Sequence, residues 1–396
     1  MGLTWRFTCV FSVEEVLLKI LCVDIGTGTQ DILLYDSRRE LENAYQLIMP
    51  SPTIRVAQAI RQATRERRPV LLTGVTMGGG PCQWAVEDHL RAGLPVYATP
   101  EAARTFNDDL DAVQAMGVRI IGEEEAARMD EQAVRLVLRD FDWDALRQAF
   151  EAFDVPLRPD GIAVAVFDHG AAPPGYSDRK FRFDYLARQL SEHRDLTVFA
   201  HRGEEIPPAL TRLQAVVRTV REVFDGPVVG MDTAPAAVLG ATLDPRVAAW
   251  RQCLVVNVGN FHTLAFRLRE GRVEGLFEHH TGFLDGEKLD RLLSRLAEGA
   301  LDFEEVFGDM GHGALMFERT PMDPEGIAVV GPRRGLLRGS RHPVYFAVPY
   351  GDMMLAGCFG LLRAFAALYP EFAPMIMESL QGSPRPAPWD VEQQDG

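Results

Sequence analysis

The sequence predicts an α/β protein built from two related lobes, and three observations carry that expectation. Strand-like apolar runs alternate along the chain with amphipathic helical patterns. A strand, glycine turn and second strand at residues 21–36 return at residues 254–269, an offset of 233. The length of 396 residues also exceeds a single ordinary domain of about 100–200 residues.

Taken in order, the strand candidates are 20–25, 31–35, 70–75, 161–167, 196–200, 228–231, 254–258, 264–268, 327–330 and 345–348. In each, aliphatic and aromatic side chains cluster between turn residues. Helical spacing marks 53–66, 83–92, 123–138, 143–153, 209–224, 234–241, 287–298 and 352–368. Two strand pairs, 20–25 with 31–35 and 254–258 with 264–268, are joined by short glycine-containing turns, so each reads as an antiparallel hairpin. The first hairpin with its insertions defines lobe I, residues 16–250, and the second defines lobe II, residues 251–350. A helix at 351–372 is expected to pack back on lobe I. Residues 1–15 join no pattern and read as an extension ahead of a translation start near Val16, while 382–396, rich in Pro and polar residues, read as a disordered tail.

Composition narrows the function classes. Apolar residues at 47% and charged residues at 24% belong to an ordinary globular chain and exclude disorder as the main theme. With 41 basic and 56 acidic side chains the net charge is −15, which argues against nucleic acid or an anionic membrane as partner. Any anionic small molecule or nucleotide must therefore be held by a local device, and a homo-oligomer is compatible with this composition. The five cysteines (Cys9, Cys22, Cys82, Cys253, Cys358) form no C-x-x-C pair, which fits neither a disulfide framework nor a structural zinc site nor an iron–sulfur ligand run. A reducing, cytoplasmic compartment is expected. The most apolar stretch, 344–369, is interrupted by Pro349, Asp352 and Arg363, well short of the roughly 18 apolar residues a membrane span needs.

The hairpin tips carry the main chemical signal. In the first, Asp24 precedes Gly26, Thr27, Gly28 and Thr29; in the second, Asn257 precedes Gly259, Asn260, His262 and Thr263. Glycines let the backbone bend sharply, and freed N–H groups and hydroxyls can donate to anionic oxygens. Asp24 beside them can hold a hydrated Mg2+ that bridges phosphates. Two facing tips would clamp a polyphosphate, whereas either hairpin alone is equally an ordinary glycine turn.

These residues resemble the superfamily of sugar kinases, actin and the Hsp70 chaperones, which share two ribonuclease-H-like lobes around an ATP cleft. Asp24-Ile25-Gly26-Thr27 resembles the first phosphate loop, and Asn257-Val258-Gly259-Asn260 through Thr263 the second. The run from Asp232 to Gly240 resembles the connecting helix, the run from Ala328 to Gly335 the adenosine loop with Gly331 and Arg333, and Gly351 to Gly357 the closing helix. The resemblance implies an actin-like ATPase fold with a central cleft, using ATP and Mg2+. More narrowly, the chain resembles a bacterial and archaeal family whose members sometimes carry the name pyruvate formate-lyase activating enzyme. That name implies radical S-adenosylmethionine chemistry on a C-x-x-x-C-x-x-C cluster, and no such run exists here, so no iron–sulfur cluster is expected.

Departures from the pattern matter. Asn257 stands where the superfamily usually has an Asp, and an amide neither takes a proton nor neutralises a cation. Phe261 would crowd a triphosphate. Arg333 and Arg334 suit a bidentate phosphate or carboxylate, or are an exposed loop pair. Elsewhere, the Thr76-Met77-Gly78-Gly79-Gly80-Pro81 turn before a helix is an anion site or a plain turn, and lacks a Walker ending. Asp168 and His169 follow a strand, where they serve acid–base chemistry or capping. The neighbours His279 and His280 must face opposite ways on a strand, no H-x-x-x-H pairing suggests a dedicated metal centre, and His312 has no assignable role.

Three readings follow. The first is ATP-dependent phosphoryl transfer or hydrolysis, with Asp24 on Mg2+ and Asp232 or Asp168 orienting the nucleophile. The second is a non-hydrolysing module that binds an anion or nucleotide. The third is a non-kinase enzyme using Asp168, His169 and His280 as an acid–base or metal set.

Overall fold

The computed structural model describes residues 17–129 and 132–392, so the extension read at 1–15 lies outside the described residues. Lobe I opens with β1 (Lys19–Ile25), β2 (Thr29–Asp36) and β3 (Tyr45–Pro50), an antiparallel meander. An inserted layer follows, with β4 (Val70–Gly74), β5 (Val96–Ala98), β6 (Arg119–Ile120) and β7 (Val134–Leu138) in a parallel sheet of order β6-β5-β4-β7. The chain then returns through β8 (Gly161–Val166), β9 (Ala200–Arg202) and β10 (Val228–Asp232) to complete a sheet of order β3-β2-β1-β8-β10-β9. Lobe II contains β11 (Gln252–Val258), β12 (His262–Arg269), β13 (Arg272–His280), β14 (Gly313–Met316), β15 (Ile327–Val330) and β16 (Val344–Phe346), ordered β14-β13-β12-β11-β15-β16.

Each lobe thus carries one motif. Three antiparallel strands (β3-β2-β1, and β13-β12-β11) are extended on the side of the first by two parallel strands (β8-β10, and β15-β16). This is the ribonuclease-H-like order, present twice. The internal repeat is equally plain in the bounds: β1 and β2 reappear 233 residues later as β11 and β12, end for end.

Elements outside the expected set include β3, β5, β6, β14 and a helix Asp178–Glu192, and three more differ from the sequence expectation. The helix expected at 123–138 is a short helix Glu123–Arg128 followed by β7, because the aliphatic run at 134–138 finds a parallel partner in β4 and sheet pairing overrides helical spacing. The strand expected at 196–200 is a 3-10 turn, Leu196–Phe199, and pairing with β10 begins only at Ala200. β13 was not expected; it follows β12 through Glu270 and Gly271, both at positive φ (50° and 74°), the geometry of a tight hairpin turn. Within the segment that reads as a disordered tail, Pro388–Glu392 is helical and Val391 is buried.

The main core lies between the lobes. Cys22 and Leu33 of lobe I, and Val255, Leu264 and Phe266 of lobe II, share it with Phe359 and Phe365 of the helix Ala356–Leu368. That helix crosses Thr233–Ala241 at backbone contact: a Cβ on Gly240 would overlap the Ala356 carbonyl, and one on Gly360 the Ala236 carbonyl. The small residues read from the sequence as a connecting and a closing helix are therefore what lets these helices touch. Among the described residues no helix is long and apolar enough to cross a membrane.

Candidate functional site

The two hairpin tips are built alike. Gly26 N–H donates to the Thr29 carbonyl at 2.9 Å, and Gly259 N–H to the His262 carbonyl at 2.9 Å. These two N–H groups close their own turns, so donors for a bound anion must come from other groups at the tips, the Thr27 and Thr29 hydroxyls among them. From opposite lobes the tips converge on one small cavity of about 80 Å3, lined by Asp24, Gly26, Thr27 and Thr29 on one side and by Asn257, Gly259, Asn260 and Gly331 on the other. Gly28 abuts the Asn260 side chain, so the tips are in contact.

Asp24, the penultimate residue of β1, lies directly opposite Asp31 of β2. Its Oδ1 accepts the Thr233 hydroxyl, and Gly357 leaves it room, since a Cβ there would overlap the carboxylate. Burial pushes Asp24 up to about 7, with the Thr233 bond opposing and the Asp232 charge adding to the rise. Asp31, raised chiefly by burial and then by Asp24, reaches about 8, and its Oδ1 is buried without a partner. A buried carboxylate pair with an orphaned oxygen is a donor set that suits a hard cation such as Mg2+. Asp31, Thr233 and Gly357 were not singled out in the sequence. Asp31 was accessible from the hairpin register, which places it across from Asp24.

Seven sequence candidates lie outside this cavity's lining; three of them, Asp168, His169 and His262, line a larger cavity beside it. Thr263 is fully buried and its hydroxyl pairs with that of Thr281 at 2.9 Å. Arg333 is exposed, while its N–H docks on the Val258 carbonyl at 2.9 Å. Asp232 caps the Ala234 N–H and pairs with Arg182. Gly28 lies against the Asn260 side chain of the opposite tip. Phe261 does not crowd the small cavity; it turns toward Trp84, ring centroids 6.0 Å apart, and lines a second space.

That second space is a cavity of about 1020 Å3 beside the first, bounded by Thr27, the Gly78–Gly80 turn of the inserted layer, Asp108, Asp168, Arg212 and His262. Thr27 borders both cavities. Asp168 lies on the wall with Oδ1 accepting the Gly170 N–H at 2.8 Å and Oδ2 the Leu213 N–H at 2.9 Å, and burial pushes its carboxyl up. Arg212 is held by both oxygens of Asp140, at 2.8 and 3.1 Å.

The floor holds an unexpected group of rings. His169, from the loop after β8, His262, from the start of β12, and His312, just before β14, each offer a ring nitrogen within 4.8 Å of the other two. His280 stands next to them, its centroid 4.6 Å from His312. Its neighbour His279 turns away toward Asp309, as the alternation of a strand requires. Burial, reinforced by Arg182 and neighbouring rings, brings His169 down to about 3, and His262 and His312 are lowered as well, so all three are neutral near pH 7. Behind them Arg182 is fully buried, gripping Glu278 with two nitrogens (2.7–3.0 Å) and pairing with Asp232. His312, Arg182 and Glu278 come from distant segments, and no local sequence signal links them.

Among solved structures, the chain is similar to "Lmo2764 protein, a putative N-acetylmannosamine kinase, from Listeria monocytogenes", with 11% identity over 89% of this chain and 99% of that one, at a TM-score of 0.34. The ROK hexokinase from Thermus thermophilus gives 12% identity over 87% and 98%, TM-score 0.27. The PPX-GPPA enzyme of Aquifex aeolicus gives 9% over 80% and 68%, TM-score 0.23. The fold assignment rests on the strand order above and not on these likenesses. No curated protein matches the chain. A family model described as "Putative pyruvate format-lyase activating enzyme (DUF1786)" matches residues 77–336. The iron–sulfur chemistry in that name does not fit the described cysteines: Cys82 is buried in the inserted layer, the others in the core between the lobes, and the one described group of three metal-ligating side chains contains no cysteine. With about two thirds of its length matched, the chain belongs to this family.

Proposed function

We propose that the protein binds Mg·ATP between the two hairpin tips and transfers the terminal phosphoryl group to water or to an acceptor in the large cavity. The observation that carries this reading is the convergence of residues 24–29 and 257–260, which lie 233 positions apart, on one small cavity that shares Thr27 with the large one. Mg2+ would be held by Asp24 and Asp31 and would neutralise phosphate charge. The hydroxyls of Thr27 and Thr29 would bind phosphate oxygens, while that of Thr233 holds Asp24. Asp168, on the wall of the large cavity and raised by burial, would orient the nucleophile and take its proton, while Asp232, engaged by Arg182, would not.

The experiment is a thermal shift with ATP plus Mg2+ and with ADP, followed by phosphate release. Stabilisation by Mg·ATP that is lost in Asp24→Ala supports the reading. No nucleotide shift, or an identical shift in Asp24→Ala, overturns it. One observation favours a second reading: the lobe II side of the small cavity offers the amide of Asn257 and no acid. Stabilisation without phosphate release or transfer to any tested acceptor would make the protein a nucleotide-binding module.

A further inference from the structure

We propose that His169, His262 and His312 form a binding site for a divalent transition-metal ion, zinc by its ligand set, at the floor of the large cavity and across the two lobes. His169 Nε2 and His312 Nε2 are 3.0 Å apart. Two imidazole nitrogens at that distance share either a proton or a metal ion. A shared proton satisfies that pair but leaves His262 Nε2, which is buried and without a partner. A metal ion uses all three rings. Zinc–nitrogen bonds of about 2.0–2.1 Å in a tetrahedral site put ligand nitrogens about 3.3 Å apart, close to the separation already present for one pair. The widest gap, within 4.8 Å, closes by small ring movements.

The surroundings suit a cation held by neutral imidazoles. Arg182 beneath the rings is paired with two carboxylates, Asp232 and Glu278, which offset its positive charge. His312 Nδ1 lies 3.3 Å from Glu278 Oε1 without a hydrogen bond between them, and a rotation of the ring would bring that carboxylate behind it, where metal-binding histidines commonly have one. Phe167 stacks on His262 at 3.9 Å between centroids with 9° between planes, and meets His169 edge-on at 4.8 Å, which restrains both rings. Two of the three rings, His169 and His262, line the large cavity, and three nitrogen ligands leave a fourth position as in zinc sites that bind water or substrate, while an all-imidazole set selects zinc-class ions over Mg2+. Because His169 belongs to lobe I and the other two to lobe II, a bound ion would also clip the lobes together.

The test uses full-length protein without a polyhistidine tag, stripped with a chelator, with no nucleotide present, so its outcome is separate from that of the ATP reading. Zn2+ and Co2+ are titrated, with metal content after dialysis and the visible Co2+ spectrum as readouts. One equivalent of zinc retained per chain, and a Co2+ spectrum of low-coordinate nitrogen ligation that Zn2+ abolishes, support the site. His169→Gln and His262→Gln should each weaken binding at least tenfold, and His280→Gln should retain it. Failure of the wild-type protein to hold one equivalent overturns the proposal whatever the variants do, and so does loss in His280→Gln equal to that in His262→Gln.

Discussion

Gly28 and Asn260, at the tips of hairpins from opposite lobes, meet so closely that a Cβ on residue 28 would overlap the Asn260 amide. The group in the way is a side-chain end, which moves more readily than backbone. Gly28→Ala is therefore expected to cost under about 1 kcal/mol of stability in urea unfolding. It should nevertheless weaken the Mg·ATP-dependent rise in Tm, because the added methyl displaces the Asn260 amide that lines the small cavity. An undiminished shift would separate tip contact from binding.

Gly357 meets a harder obstacle. A Cβ there would overlap the Asp24 carboxylate, which is buried and tied to Thr233. At Gly240 and Gly360 the obstacle is backbone. Alanine at any of these three positions should cost about 1–3 kcal/mol or more, larger than at Gly28, with chemical denaturation as the measurement.

Asp24→Asn separates folding from binding. The amide keeps an acceptor for the Thr233 hydroxyl while removing a charge that lies buried across from Asp31. The apo protein is expected to be at least as stable as wild type. The Mg2+-dependent part of the nucleotide shift should disappear, which a titration of ATP with and without Mg2+ reads directly.

Arg182 ties three segments together by pairing with Asp232 and Glu278 and donating to the Asp168 carbonyl at 2.9 Å. Removing one partner of a buried ion pair leaves uncompensated charge. Arg182→Met is expected to lose about 3–5 kcal/mol in denaturant unfolding. A loss near zero would mean that water reaches the two carboxylates in solution.

His201 gives a pH test away from both cavities. Burial holds it at about 4, below its ordinary 6.5, and Tyr185 shares a hydrogen bond with Nε2 at 2.9 Å. Above pH 6.5 it is neutral folded and unfolded and adds no pH dependence. As pH falls from 6.5 toward 4 the unfolded chain takes a proton that the folded chain refuses, so stability drops. His201→Gln should lose less stability between pH 7.5 and pH 5 than wild type does, measured by urea midpoints at each pH.

The sequence by itself determined the hairpin repeat, and with it the two-lobed fold, because a glycine turn between apolar strands is written in neighbouring residues. The offset of 233 read from the residues is the offset of the strands. It also pointed to Asp24, Thr27, Asn257 and Gly259, whose place at the hairpin tips is set by their own turn. Only the tertiary structure decided the rest. Residues 134–138 became a strand because β4 was available beside them. Phe261 turned from the small cavity to the large one because Trp84 of the inserted layer lies there. His169 and His312, 143 positions apart and on different lobes, came within hydrogen-bond distance through lobe packing alone. Local chemistry is legible in sequence, whereas convergence across lobes depends on how two cores dock, and no spacing records that.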